Sequence, residues 1–172
     1  YLPASDPIHK ATIIPRGRAL GMVMRLPEND RFSLPRDKME ADIAVAMAGR
    51  VAEEMIFGKS KVTSGASSDI QMATRMARAM VTQWGLSEKV GPIFHSTGGE
   101  DMYSGGKDSN ERSEYTAQII DQEVKVIVDN GYKTAKDILT KNLKELHMLA
   151  KCLIENETLS GDQIKNLLAG KN

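Results

Sequence analysis

The chain has 172 residues with 23 basic and 23 acidic side chains, so no net charge steers it toward nucleic acid or an anionic membrane. Hydrophobic residues make up 41%, which is ordinary for one globular domain, and no apolar run approaches the roughly 18 residues that span a bilayer. The single Cys152 excludes an internal disulfide. Because the chain begins Tyr1-Leu2-Pro3 without a Met, we expect it to be part of a longer protein.

Two short segments near the N-terminus predict a β-hairpin. Ile8 to Pro15 has β-branched residues toward its end and stops at a Pro. After a turn at Pro15-Arg16-Gly17-Arg18, the segment from Ala19 to Leu26 returns as a second strand.

The first long helix is predicted from Arg36 to Phe57, with Gly58 as the residue just past its C-terminus. Ser33 and Pro35 suggest an N-cap and an early helical Pro. Arg50 and Glu54 lie four residues apart on this helix, which favours an intrahelical ion pair. A direct catalytic role for Glu54 is the alternative. The predicted buried side consists of Met39, Ile43, Met47 and Val51.

The segment from Thr63 to Trp84 predicts a loop that leads into a second helix. Ser68 and Gln71 have the spacing of a capping box, which places the N-cap at Ser68. Asp69 falls near the middle of the apolar stripe, so we expect its carboxylate to point at the interior, where it needs a partner. The stripe is formed by Ile70, Ala73, Met76, Ala77, Met80, Val81 and Trp84.

Two interpretations of Asp69 stay open at this point. Acidic residues are common in first turns because the helix dipole stabilises them by about 0.3–1 kcal/mol. The second interpretation is a metal ligand or a catalytic carboxylate. The position alone does not choose between them.

The rest of the chain predicts a glycine-rich loop and a long C-terminal helical arm. The loop runs from Ser96 to Asn110 and lacks the spacing of a phosphate-binding loop. Glu111 to Asn130 is helical, and Gly131 either ends that helix or weakens it. The expected buried set is Tyr115, Ile119, Ile120, Val124 and Ile127. Helical segments follow at Thr134–Leu139 and Leu143–Ile154.

A short final helix completes the predicted elements. Ser160 and Gln163 repeat the capping-box spacing, and Leu159 with Ile164 supplies a hydrophobic staple. The helix is expected to end near Gly170. The fold class is therefore mostly α, or α+β, with a small hairpin.

No complete active site is found in these residues. The three histidines have no metal-ligand spacing, and no nucleophile-elbow motif is present. Asp69 by itself cannot hold a zinc ion, because zinc sites take at least three protein ligands.

Six segments, in order along nearly the whole chain, carry a resemblance to one known family. They are H-K-A-T-I-I-P-R-G-R-A-L-G (His9–Gly21), A-G-R-V-A-E-E-M-I-F-G (Ala48–Gly58), T-S-G-A-S-S-D-I-Q-M-A-T (Thr63–Thr74), A-R-A-M-V-T-Q-W-G-L-S (Ala77–Ser87), I-D-Q-E-V (Ile120–Val124) and E-T-L (Glu157–Leu159). Together they resemble the peptidase domain of the FtsH family of membrane-anchored, ATP-dependent zinc metalloproteases. A small departure is Ala48-Gly49, where the family has two glycines.

The resemblance implies a role for Asp69 as the distant third ligand of a catalytic zinc. In the family, two histidines of an H-E-x-x-H helix hold the same ion, and the Glu of that motif is the general base. That helix is expected just before His9 and outside this chain. We therefore expect the chain alone to bind no stoichiometric zinc and to have no protease activity.

The resemblance also implies partners and a location for the parent protein. These are a homohexamer, protein substrates, an AAA+ module that uses ATP and Mg²⁺, and an anchor in a bacterial inner membrane or an organellar membrane. This domain would lie on the cytoplasmic, matrix or stromal side. The hairpin would offer an edge strand, ending at Ile13-Ile14-Pro15, to which an extended substrate adds. The alternatives are a non-catalytic domain that assembles the hexamer and a generic helical interaction domain.

Overall fold

A computed structural model describes residues 1–17, 20–27, 33–95 and 113–170 of the chain. The prediction of a mostly helical fold with a small hairpin is confirmed. The elements are β1 (Ile8–Thr12), β2 (Met22–Arg25), α1 (Arg36–Phe57), a 3-10 helix (Lys59–Lys61), α2 (Ser67–Thr82), α3 (Glu114–Lys141), α4 (Leu143–Asn156), β3 (Thr158–Ser160) and α5 (Gly161–Leu168).

Some predictions concern residues outside the described ranges. They are the turn at Arg18, the strand start at Ala19, the glycine-rich loop 96–110 and the helix start at Glu111. In the part of the chain that the structure describes, no helix is both long enough and apolar enough to cross a bilayer.

The chain divides into two compact units, which are described separately. The first contains Tyr1–Leu34 and Asp137–Asn172, and the second contains Pro35–Lys136. The expectation of a single domain over residues 1–172 stays a prediction.

The first unit is built on a three-stranded antiparallel sheet in the order β2-β1-β3. The predicted hairpin is confirmed, since Thr12 in β1 pairs with Met22 in β2. On its other side Thr12 pairs with Thr158 in β3, and the two threonine hydroxyls lie 2.8 Å apart. The backbone N–H of Ile13 continues this contact by donating to the carbonyl of Glu157 at 2.9 Å.

This pairing corrects the expectation that the first strand is an edge strand. The segment before Pro15 is the central strand, because a three-residue strand from the far end of the sequence covers its second side. Three residues are too few for a periodic strand pattern, so the sequence did not reveal β3. Within the described residues, β2 forms one outer edge of the sheet.

The core of the first unit joins the sheet to the last two helices. Ser160 caps α5 with the predicted capping box: its hydroxyl accepts from the N–H of Gln163 at 3.2 Å, and the Gln163 side chain accepts from the N–H of Ser160 at 2.8 Å. Leu159 and Ile164, the predicted staple, are both 5% exposed and lie in one cluster with Ala11. Cys152 is among the partly buried residues that pack on this cluster.

The core of the second unit is lined by α1, whose predicted limits and buried side are confirmed. Met39, Ile43, Met47 and Val51 are between 0% and 7% exposed. The predicted N-cap at Ser33 is wrong, because Pro35 occupies that position and supplies no side-chain hydrogen bond. In α3, Ile120 and Val124 are buried as expected, whereas Tyr115 in the first turn is 73% exposed.

Gly131 permits a close approach of α3 to α1. The helix continues through this position to Lys141, so the interpretation that Gly131 ends the helix is wrong. A Cβ atom at Gly131 would lie 2.5 Å from Cγ2 of Ile43 and 3.3 Å from the backbone nitrogen of Ala44. The glycine is therefore explained by packing rather than by a helix end. Asn142 separates α3 from α4, and its side-chain amide donates to the carbonyl of Ile138 at 2.8 Å.

We expect Gly131→Ala to destabilise the chain although alanine is the better helix former. The added methyl group meets the fully buried Ile43, and overpacking of this kind costs about 1–3 kcal/mol. Gly49→Ala in α1 is the matched control, because nothing lies within 4 Å of its Cβ position, and it should stabilise by about 0.4–1 kcal/mol. Urea unfolding measures both. Equal stability of the two variants would show that α3 moves away from α1 at no cost.

Candidate functional site

Asp69 is the third residue of α2 and lies in its first turn. The helix begins at Ser67 after Ala66, so the predicted N-cap at Ser68 with its capping box is wrong. The turn before the helix closes instead through the backbone, where the N–H of Ser67 donates to the carbonyl of Ser64 at 3.0 Å. The N-cap residue, Ala66, supplies no side-chain hydrogen bond to α2, so the start of the helix depends on the preceding loop.

The carboxylate of Asp69 is exposed, which corrects the expectation that it points at the interior. The buried stripe of α2 begins one turn later, at Ala73, whereas Ile70 is still 37% exposed. The helix is thus buried along its later turns and open to solvent at its start. An exposed carboxylate at this position is accessible to a ligand.

One carboxylate does not make a metal centre. Among residues 1–17, 20–27, 33–95 and 113–170, no three or more His, Cys, Asp or Glu side chains come together in a group that could hold a metal ion. The described residues therefore do not fit a complete zinc site, which takes at least three protein ligands. Asp69 offers a single donor of the right chemistry.

The loop before α2 is fixed by polar side chains of α1. Glu53 accepts two hydrogen bonds from Thr63 through one oxygen, from the backbone N–H at 3.0 Å and from the hydroxyl at 2.7 Å. Nη1 of Arg50 donates to the carbonyl of the same threonine at 3.1 Å. The Thr63 hydroxyl in turn accepts from the N–H of Gly65 at 3.1 Å. Both backbone polar groups of Thr63 are thus held by α1.

The predicted ion pair of Arg50 and Glu54 is confirmed, with 3.1 Å between Nε and Oε1. The second oxygen of Glu54 accepts from the hydroxyl of Tyr132, on α3, at 2.6 Å. Sequence reasoning missed this contact, because 78 residues separate the partners and no local pattern marks Tyr132. Glu54 therefore connects two helices rather than only two turns of one helix.

The protonation of this pair follows from the contact. The hydrogen bond from Tyr132, helped by Arg50, holds the pKa of Glu54 below its ordinary value despite partial burial. The Glu54 carboxylate, together with burial, raises the pKa of the Tyr132 hydroxyl. A carboxylate with a lowered pKa and two donors bound is a poor general base. The geometry supports the ion-pair interpretation of Glu54 over the catalytic one.

A cavity of about 450 Å³ lies elsewhere in the second unit and does not include Asp69. Four of the five charged side chains in its lining form two ion pairs. Glu123 is 2.8 Å from Lys89 and accepts from the Ser87 hydroxyl at 2.8 Å, and these two contacts lower its pKa. Arg36 and Glu40 form a second pair at its wall. The cavity thus offers no unpaired charge among these groups to a ligand.

Comparisons with known proteins match the chain over nearly its full length. The family model described as peptidase family M41 matches residues 1–167. The ATP-dependent zinc metalloprotease FtsH of Rickettsia bellii is 75% identical over 171 residues, which cover 99% of this chain and 27% of that protein. The proteins of the same name from Rickettsia conorii and Caulobacter vibrioides are 66% and 50% identical over 171 residues, covering 99% and 98% of this chain and 27% of each relative. The chain spans about a quarter of the length of these relatives.

We expect the contribution of Glu54 to stability to be lost in acid. Because its pKa is lower in the folded chain than in the unfolded chain, the stabilisation is present above the unfolded value, about pH 4.3, and disappears as pH falls through the folded value. Thermal unfolding between pH 3 and 7 should therefore show a smaller acid-induced loss in Glu54→Gln than in the unchanged chain. Glu155→Gln, at an exposed position of α4, is the control. Parallel pH profiles for all three proteins would contradict the expectation.

Proposed function

Because the chain belongs to peptidase family M41, we propose that it is part of a membrane-anchored, ATP-dependent zinc metalloendopeptidase that degrades unfolded and membrane proteins. The observation that carries the proposal is the family match over residues 1–167. The similarity of nearly the whole chain to parts of proteins named as ATP-dependent zinc metalloproteases supports it. The proposal concerns the longer protein, since the chain spans about a quarter of its relatives.

Within that enzyme, Asp69 supplies the third zinc ligand, and two histidines and the general-base Glu come from an H-E-x-x-H helix elsewhere in the protein. A zinc ion bound in such a site would polarise the scissile carbonyl and lower the pKa of a bound water. This chain contributes an exposed carboxylate in the first turn of α2, which follows a loop held by Arg50 and Glu53. The chain alone is incomplete, without stoichiometric zinc and without peptidase activity.

The remaining parts of the proposal concern the parent protein. Residues 1–172 are the C-terminal part of its peptidase domain, and it works as a homohexamer. ATP and Mg²⁺ bind in an AAA+ module outside this chain. An N-terminal anchor holds the protein in a bacterial inner or an organellar membrane, with this domain on the cytoplasmic, matrix or stromal side. The substrates are proteins, and no nucleic acid takes part.

An extended substrate would add to the outer edge of β2 rather than to β1. β1 has partners on both sides, whereas β2 pairs only with β1 among the described strands. Val23 in β2 is 60% exposed and lies beside this edge. Main-chain hydrogen bonds to such an edge bind a peptide with little dependence on its sequence, which suits a protease of unfolded proteins.

The metal role of Asp69 is tested by Asp69→Asn in the full-length protein. Removing the hydrogen-bond partner of a metal ligand typically lowers metal affinity roughly 10–100-fold. Removing the ligand itself should lower zinc affinity by more than that. Asp121→Asn is the control, because Asp121 is an exposed carboxylate that pairs with Arg78 at 3.0 Å. Zinc competition with a chelator measures both. Equal affinity of Asp69→Asn and the unchanged protein would remove Asp69 from the metal site and leave it as a residue of the helix start.

The role of β2 is tested by proline at Val23 and, separately, at Met24. Successive N–H groups of a strand point to opposite sides, so one proline removes a hydrogen bond to β1 and the other removes a donor at the outer edge. The variant that keeps its melting temperature should raise KM for an unfolded protein several-fold, with kcat unchanged. An unchanged KM in that variant would exclude substrate addition at this edge.

A further inference from the structure

Three side chains connect α3 to the loop that precedes Asp69. The hydroxyl of Tyr132 donates to Oε2 of Glu54 at 2.6 Å, and Oε1 of Glu54 accepts from Nε of Arg50 at 3.1 Å. Nη1 of Arg50 then donates to the carbonyl of Thr63 at 3.1 Å. We refer to Tyr132, Glu54 and Arg50 as the brace.

The guanidinium of Arg50 has its orientation fixed by this arrangement. A planar guanidinium presents its donors in a rigid fork, so holding Nε on Glu54 also sets the direction of Nη1. Glu54 is itself held from the opposite side by Tyr132. Without the phenol hydroxyl, the carboxylate would lose its hydrogen bond to α3 and keep the contact with Arg50 within its own helix.

The loop at the far end of the brace is held by polar contacts at Thr63 and by the buried side chain of Ala66. Ala66 is also the N-cap residue of α2 and supplies no side-chain hydrogen bond, and the first turn of the helix is exposed. The anchors on Thr63 are Arg50 and Glu53, both from α1. Six residues after Thr63 comes Asp69, so a shift of this loop is passed to the first turn of α2.

We propose that Tyr132 is a positioning residue whose hydroxyl, through Glu54 and Arg50, fixes the Thr63–Gly65 loop and thereby the direction in which Asp69 is presented. The proposal rests on the proposed function, in which Asp69 is a metal ligand. The brace contributes to geometry more than to stability. The side chains of Arg50 and Glu54 are 29% and 18% exposed, and ion pairs that water reaches add little to the free energy of folding. Ligand placement, in contrast, is sensitive to small displacements.

The test is Tyr132→Phe in the full-length protein, because phenylalanine keeps the ring and removes only the hydroxyl. Amide hydrogen exchange in residues 63–70 should become about 3- to 10-fold faster, as expected for the loss of one hydrogen bond, with little change elsewhere in α1 and α3. Tyr115→Phe is the matched control, since Tyr115 lies on the same helix and is 73% exposed. Unchanged exchange in residues 63–70 would overturn the proposal, as would a uniform increase, which reports global destabilisation.

A double-mutant cycle tests whether the three side chains act as one unit. If Tyr132 acts through Arg50, the double variant with Tyr132→Phe and Arg50→Gln should increase the amide exchange rate of the loop by less than the product of the two single-variant increases. For Tyr132→Phe combined with Glu53→Gln, the increase should be closer to the product of the single-variant increases, because Glu53 binds Thr63 through separate hydrogen bonds. Equal behaviour of the two pairs would overturn the connection through Arg50.

The link to function is read from peptide hydrolysis by the same variants. Tyr132→Phe should lower kcat about tenfold with KM unchanged, and Tyr115→Phe should change neither. Faster loop exchange with an unchanged kcat would overturn the positioning role. Failure of the proposed function is a separate result: Asp69→Asn with full activity would remove the metal role, while the exchange data would still show whether the brace holds the loop.

Discussion

The close approach of α3 to α1 at Gly131 is the constraint on which the polar part of the second unit depends. Because Gly131 has no Cβ, the backbone of α3 comes against Ile43 and Ala44 of α1. The next residue of α3, Tyr132, donates a hydrogen bond to Glu54 of α1. A close contact between two helix backbones thus accompanies the hydrogen bond by which α3 holds Glu54.

Local signals in the sequence predicted the parts of the fold that local physics decides. The limits of α1 follow from helical periodicity and Gly58, and the cap of α5 follows from Ser160 and Gln163. The same capping-box spacing failed at Ser68, because α2 begins at Ser67 after a backbone turn from Ser64, in a loop that Arg50 and Glu53 hold at Thr63. A spacing rule identifies a possible cap, but contacts from another element decide where the helix begins.

The candidate site was only partly predictable for the same reason. Asp69 was singled out by its place in the helix pattern and by the family resemblance, and the Arg50–Glu54 pair by its four-residue spacing. The contact of Glu54 with Tyr132 joins residues 78 positions apart, so it has no local signature. The exposure of Asp69 was mispredicted because periodicity describes a whole helix, whereas burial of α2 begins at Ala73.

The central position of β1 has a consequence for the order in which the chain folds. Thr12 is 146 residues away from its partner Thr158, so the ribosome completes the hairpin long before β3 exists. At typical synthesis rates of about 5–20 residues per second, those 146 residues take roughly 7–30 s. Throughout that time one side of β1 keeps unpaired N–H and carbonyl groups, which other chains can bind. The nascent hairpin is therefore a point at which chaperone binding competes with aggregation until the C-terminal segment arrives.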